Sequence, residues 1–134
     1  MPDATAIDLV RTLYQAFEDG DHDAIRDCLA DDLRWRQAAS AVPAAGQDTT
    51  GADELLRRVV VHFEQEWDGF TEEVDDVFAA DGRVTATGTY RGTYLATGRR
   101  LEAEFCHLWW VEGGKIRGFR QFTDTAAFAA VMRG

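Results

Sequence analysis

The chain has little cysteine, few cations, no long apolar run and no cluster of metal-binding side chains. Its two cysteines, Cys28 and Cys106, lie far apart in the sequence, and both are expected to be reduced thiols. A zinc site would need four cysteines or a His/Cys cluster at ligand spacing; neither is present, and no metal is expected. Only 14 Lys and Arg stand against 24 Asp and Glu, leaving a net charge of −10 at pH 7. Nucleic acid and anionic membrane surfaces both require clustered cations, so neither is expected as a partner. The opening MPDATAID has no basic start and no apolar stretch. No signal peptide or membrane span is read there, and a cytoplasmic location is expected. Internal repeats and low-complexity segments are also missing.

What is there suffices for one domain, 1–134, with a sizeable core: 46% of the residues are apolar and 28% charged. Asp3 is placed to cap a helix running to about Asp19. Ile7, Val10, Leu13, Tyr14 and Phe17 recur on one face of it, and Gly20 ends it. Asp21 caps a second helix, His22 to Ala30, that buries Ile25, Cys28 and Leu29. Leu33 to Gln37 alternates and reads as a strand, with Leu33, Trp35 and Gln37 on one face. Ala38 to Gly51 is rich in small residues, contains Pro43 and Gly46 and reads as a loop. A third helix, Ala52 to about Trp67, turns Leu55, Leu56, Val59, Val60 and Phe63 inward. His62 falls at the edge of that face, where a structural or solvent-facing role is expected. Extended segments follow from Glu72 to Ala80 and from Arg83 to Tyr94, with turns at Asp81-Gly82 and near Thr97-Gly98. Tyr90 shares an inward face with Val84, Ala86 and Gly88, and Ala126 to Met132 reads as a short terminal helix. The order of elements predicts an α+β domain with its helices gathered on one face of a curved sheet.

The hairpin from Leu101 to Thr125 carries the most chemistry. Leu101, Ala103, Phe105, His107, Trp109 and Val111 alternate onto one face, which sets a single imidazole in the middle of an apolar surface. His107 there is either a satisfied core group or the centre of a pocket. The turn decides which residues of the second arm join it. A two-residue turn at Gly113-Gly114 sets His107 opposite Arg120 and brings Asp124 to its face. A three-residue loop, Glu112 to Gly114, shifts the register and brings Phe119, Gln121 and Thr123 to that face instead.

The segments LYQAFEDGD (13–21), ADDLRW (30–35), GTYRG (88–92) and FCHLWWVEGGKIRGFRQFTDT (105–125) together resemble the NTF2-like superfamily, in its branch of SnoaL-like polyketide cyclases and ketosteroid isomerase-like proteins. The resemblance implies a cone-shaped barrel, a curved and mostly antiparallel sheet wrapped around three helices, with a deep apolar cavity. It also implies a homodimer packed through the outer face of the sheet, and it favours the three-residue turn. Arg120 and Asp124 would then lie outside, in an ion pair or a dimer contact. The fold hosts binding and scaffold proteins as well as enzymes.

Carried over position by position, the family's roles fit in part. The ketosteroid isomerase base falls on Gln37, its tyrosine donor beside Tyr14 at Leu13, and its acid donor on or beside His107, so that chemistry is not matched. SnoaL-like cyclases pair a histidine, matched by His107, with an aspartate whose position holds Gln121. The resulting expectation is a cofactor-independent cyclase, isomerase or dehydratase acting on a hydrophobic, polycyclic or aromatic carbonyl compound. His107 would move the proton, and Gln37, Tyr90 and Gln121 would polarise or orient the carbonyl. Tyr14, Phe17, Trp35, Phe63, Phe105, Trp109, Phe119 and Thr123 would form the walls. The missing carboxylates at Gln37 and Gln121 support a rival reading, a binding protein for an apolar small molecule, and a scaffold role for the sheet face is a third.

Overall fold

The computed structural model describes residues 3–38 and 48–133. Helix α1 spans Asp3–Asp19 and buries Ala6, Val10, Leu13 and Ala16, with Tyr14 and Phe17 half-buried beside them. Asp3 is the first helical residue, so its carboxylate lies in the first turn, where the helix dipole favours it. Helix α2, His22–Cys28, starts on Asp21, whose side chain accepts from the Ala24 N–H at 3.1 Å. It is two residues shorter than its sequence pattern predicts. Leu29 already has extended backbone and opens strand β1, Leu29–Arg36, yet keeps its place in the core.

Strand β2, Asp48–Thr50, pairs antiparallel with β1 and corrects the expectation of an unbroken loop from 38 to 51. The middle of that loop, with Pro43 and Gly46, lies outside the described residues. Helix α3 covers 52–65 and is α-helical over Ala52–Leu55 and Val61–Gln65, with a π-helical stretch, Leu56–Val60, between. It ends earlier than Trp67 because Trp67 begins strand β3, Trp67–Ala80. Strands β4 (Arg83–Tyr94), β5 (Arg100–Glu112) and β6 (Lys115–Thr123) follow, then helix α4, Thr125–Arg133.

The six strands form one sheet in the order β2-β1-β6-β5-β4-β3, with β1 and β6 parallel and every other pair antiparallel. The sheet curls around the helices, as an α+β cone requires. Two irregularities in β3, between Asp68 and Thr71 and between Val74 and Asp76, bend it over β4. Gly88 makes the tight approach possible: a Cβ there would stand 2.1 Å from the Glu73 carbonyl oxygen and 2.7 Å from the Phe105 ring.

The hairpin of β5 and β6 settles the register by a route that neither turn reading contained. Glu112 pairs with Lys115 across a two-residue turn, with Gly113 and Gly114 at φ 61° and 75°. The ladder then slips at Trp110 and Val111, which pair with Gly118 and Ile116 and leave Arg117 as the extra residue of a bulge. Beyond the bulge His107 faces Gln121, and Phe119 shares their side of the sheet. The expected face is correct, but a bulge in β6 produces it and not a longer turn. Arg120 lies outside over the Phe122 ring at 4.7 Å, and Asp124 caps α4 by accepting from Ala127 N at 3.0 Å, so neither joins the predicted ion pair.

Candidate functional site

Between α1, α3 and the concave face of the sheet lies a cavity of about 700 Å³. Tyr14 and Phe17 of α1, Val59, Val60 and Phe63 of α3, and Trp35, Gln37, Tyr90, His107, Trp109 and Phe119 of the sheet line it. The π-helical stretch sets Val59 and Val60 together on the cavity side of α3, ahead of Phe63. Trp35 stacks on Phe119 at 3.9 Å between ring centroids and meets Trp109 edge-on at 5.4 Å.

Three residues predicted to serve this pocket stand elsewhere. Phe105 lies behind His107, its ring stacked on the imidazole at 4.1 Å. Thr123 donates its hydroxyl to the Glu104 carbonyl at 2.7 Å and does not line the cavity. Gln121 is buried one layer back. Its Oε1 accepts from the Ala38 N–H at 2.9 Å, which fixes the amide so that Nε2 donates to the Tyr90 hydroxyl at 2.8 Å. Gln37 does line the cavity, where its Oε1 accepts from Trp35 Nε1 at 2.8 Å. Neither glutamine is bonded to His107. His62 takes its structural role, accepting from Trp67 Nε1 at 3.3 Å.

His107 is held between two tyrosines. The Tyr14 hydroxyl is 2.6 Å from Nδ1, and the Tyr90 hydroxyl makes a short hydrogen bond with Nε2. The imidazole is 1% exposed, and burial holds its pKa well below the ordinary histidine value, so the ring is neutral. Burial, and then the Glu72 charge, push both phenols upward, so both keep their protons.

Tyr14 accepts from Trp109 Nε1 at 3.2 Å, and Tyr90 accepts from Gln121 Nε2 at 2.8 Å. A neutral imidazole has one N–H and one bare nitrogen. Whichever tautomer is present, one tyrosine gives its O–H to the bare nitrogen. The other accepts from both the ring and its second partner, and its own O–H is left over. Both tyrosines line the cavity, so one phenolic donor is always available to a bound molecule.

A carboxylate that the sequence reading did not single out completes the group. Glu72, on β3, is the cross-strand partner of Tyr90, lines the cavity, and sets Oε2 4.0 Å from His107 Nδ1. Its side chain keeps 22% exposure where it meets the cavity, yet burial of the carboxyl pushes its pKa up to about 8. The signal was present as Phe70, Glu72 and Val74 at period two. It was masked because Glu73, Asp75 and Asp76 beside it point to solvent, and composition does not separate one acid from three. Among the described residues no group of His, Cys, Asp and Glu has the arrangement to hold a metal ion. No described helix is long and apolar enough to cross a membrane.

A strongly bent sheet wrapped on helices, with a cavity lined by aromatic rings and by polar and charged side chains such as Arg11, Glu18 and Glu64, has the form in which small-molecule sites occur. The profile of the SnoaL-like domain matches residues 10–119, and the chain belongs to that family within the NTF2-like proteins. An NTF2-like protein from Burkholderia thailandensis E264 is 35% identical over 100% of both chains, with a TM-score of 0.89. Another, from Burkholderia pseudomallei K96243, is 26% identical over 97% of this chain and 98% of its own, with a TM-score of 0.87. TerC, co-crystallised with polyporic acid, shares the fold at 21% identity, 97% and 99% coverage and a TM-score of 0.85. No curated protein matches the chain.

Proposed function

We propose that this protein is a cofactor-independent enzyme of the cyclase, isomerase or dehydratase type acting on a neutral, hydrophobic carbonyl compound. The observation that carries the reading is the Tyr14–His107–Tyr90 trio, which leaves one phenolic O–H free inside the cavity. A donor held in place by Trp109, Gln121 and His107 needs no reorganisation to meet a carbonyl oxygen as it gains negative charge. The flat walls of Trp35, Trp109, Phe119 and Phe63 suit fused or aromatic rings. His107 serves the proton transfer through its tautomers: shift of the ring proton between Nδ1 and Nε2 decides which tyrosine keeps a free O–H, while each tyrosine holds one proton in either tautomer.

The test uses 2-tetralone in D₂O, with exchange at the carbon next to the carbonyl followed by NMR. The wild-type protein is expected to speed exchange over buffer, and a folded His107→Phe variant is expected to lose most of the gain. A folded His107→Phe protein that exchanges at the wild-type rate sinks the reading. A second reading, a carrier for apolar molecules, is favoured by glutamine at both positions, 37 and 121, where the family's carboxylates would stand. Ligand bound tightly and released without exchange would support it. We also propose that the protein is a homodimer formed through the outer sheet face, where Leu108, Trp110 and the exposed Phe122 lie. Sedimentation at the mass of one chain would rule that out.

A further inference from the structure

We infer that Glu72 is the catalytic residue that takes the proton from the substrate's carbon, a role that the family pattern seeks at positions 37 and 121. The inference rests on the enzyme reading above and assigns its base.

Geometry makes the assignment. Other carboxylates along the cavity, Glu18, Asp19 and Glu64, belong to the ends of α1 and α3; the first two are exposed, and Glu64 is paired with His22 at 2.9 Å. Glu72 lies inside, among Phe70, Tyr90 and His107. No described Lys or Arg bridges to it and no described donor bonds it, and every fully buried polar side-chain atom among the described residues has a partner. Its carboxyl oxygens therefore open into the cavity. His107 cannot take this role directly, since both ring nitrogens are engaged by tyrosines. The titratable groups facing Glu72 are Tyr14 from α1, Tyr90 from β4 and His107 from β5, all neutral.

The step balances without a co-reactant. A carboxylate oxygen of Glu72 takes the hydrogen from the carbon next to the carbonyl. The C–H electron pair becomes the C=C bond of an enolate, and the carbonyl oxygen takes the negative charge and accepts the free tyrosine O–H. Return of the proton to the same carbon gives exchange, and return to a conjugated carbon gives an isomer. Because the imidazole can switch tautomer without gaining charge, the oxyanion can be held at either hydroxyl.

The experiment compares wild type, Glu72→Gln and Glu72→Asp with 2-tetralone in D₂O, measuring exchange rate, tetralone affinity and melting temperature. Glu72→Gln is expected to lose at least about 100-fold in rate with affinity and fold kept, as for loss of a positioned base. Glu72→Asp is expected to keep a measurable part of it. The wild-type rate is expected to rise with pH to a plateau with its midpoint near about 8, and Glu72→Gln to lose that dependence. Exchange by Glu72→Gln at the wild-type rate, with His107→Phe inactive, overturns the assignment and leaves the enzyme reading standing. Tetralone bound by the wild type without exchange overturns both. Loss of tetralone binding in a folded Glu72→Gln protein also overturns the assignment, because Glu72 would then be a binding contact.

Discussion

The Tyr14 hydroxyl on the first helix lies 2.6 Å from Nδ1 of His107 on the fifth strand, so helix and sheet meet inside the cavity through a hydrogen bond as well as apolar contact. Removing either partner leaves a buried polar atom stranded.

Tyr14→Phe deprives both His107 Nδ1 and Trp109 Nε1 of their partner. A loss of about 1–3 kcal/mol in stability is expected, read from urea unfolding, since a buried group left unsatisfied bears its full desolvation cost. An unchanged midpoint would mean that water reaches the site and replaces the phenol.

Stability should fall as pH rises from 6.5 to 8. The folded-state pKa of Glu72 is raised to about 8 from an ordinary 4.5, so the native protein holds a proton that the unfolded chain releases. This contribution is complete below 4.5 and lost as pH passes 8. His107 acts in the opposite sense, because its folded pKa lies below 6.5 and stability rises with pH up to that value. The two oppose each other between 4.5 and 6.5, leaving Glu72 alone to act above. The expected loss between 6.5 and 8 is about 2 kcal/mol. Denaturant melts at a series of pH values should show the slope in wild type and a flatter profile in Glu72→Gln.

Gly88→Ala should destabilise the protein by about 3 kcal/mol or prevent folding, since the new methyl would stand 2.1 Å from the Glu73 carbonyl oxygen. A soluble variant with the wild-type melting temperature would show that β3 can move off β4 at little cost.

Deleting Arg117 removes the bulge and leaves a regular two-residue hairpin. Because Arg117 is the extra residue, the pairs beyond it, Trp110 with Gly118, Trp109 with Phe119 and His107 with Gln121, are all kept, and Phe119 and Gln121 stay on their face. The native fold is expected to be kept, visible as amide dispersion in NMR like that of the wild type, and collapse of that dispersion would mean that the bulge itself is required. Arg117→Ala keeps the backbone count and removes only the exposed ion pairs with Asp32 and Glu112, so it should change stability by less than about 1 kcal/mol.

The sequence by itself determined the helices, the order of elements apart from β2, and which side of β1, β4 and β5 is apolar. These follow from short-range periodicity: Val10, Leu13 and Phe17 recur at helical spacing, and Phe105, His107 and Trp109 alternate. Segment ends were less legible. Leu29 is apolar whether it closes α2 or opens β1, and Trp67 whether it ends α3 or starts β3, so pattern alone assigns them to either. Tertiary structure decided the rest. The bulge at Arg117 leaves no local signature, because the alternation on both sides of it is intact and only pairing with β5 shows that one residue is extra. The partners of His107 come from α1 and β4, and Glu72 comes from β3, each brought in by the bend of the sheet. Gln121, read as a cavity group, was drawn back by the Ala38 N–H. Which of several acids loses its water is a property of the folded surroundings, and Glu72 differs from Glu73 only in the side of the strand that the sheet closes over.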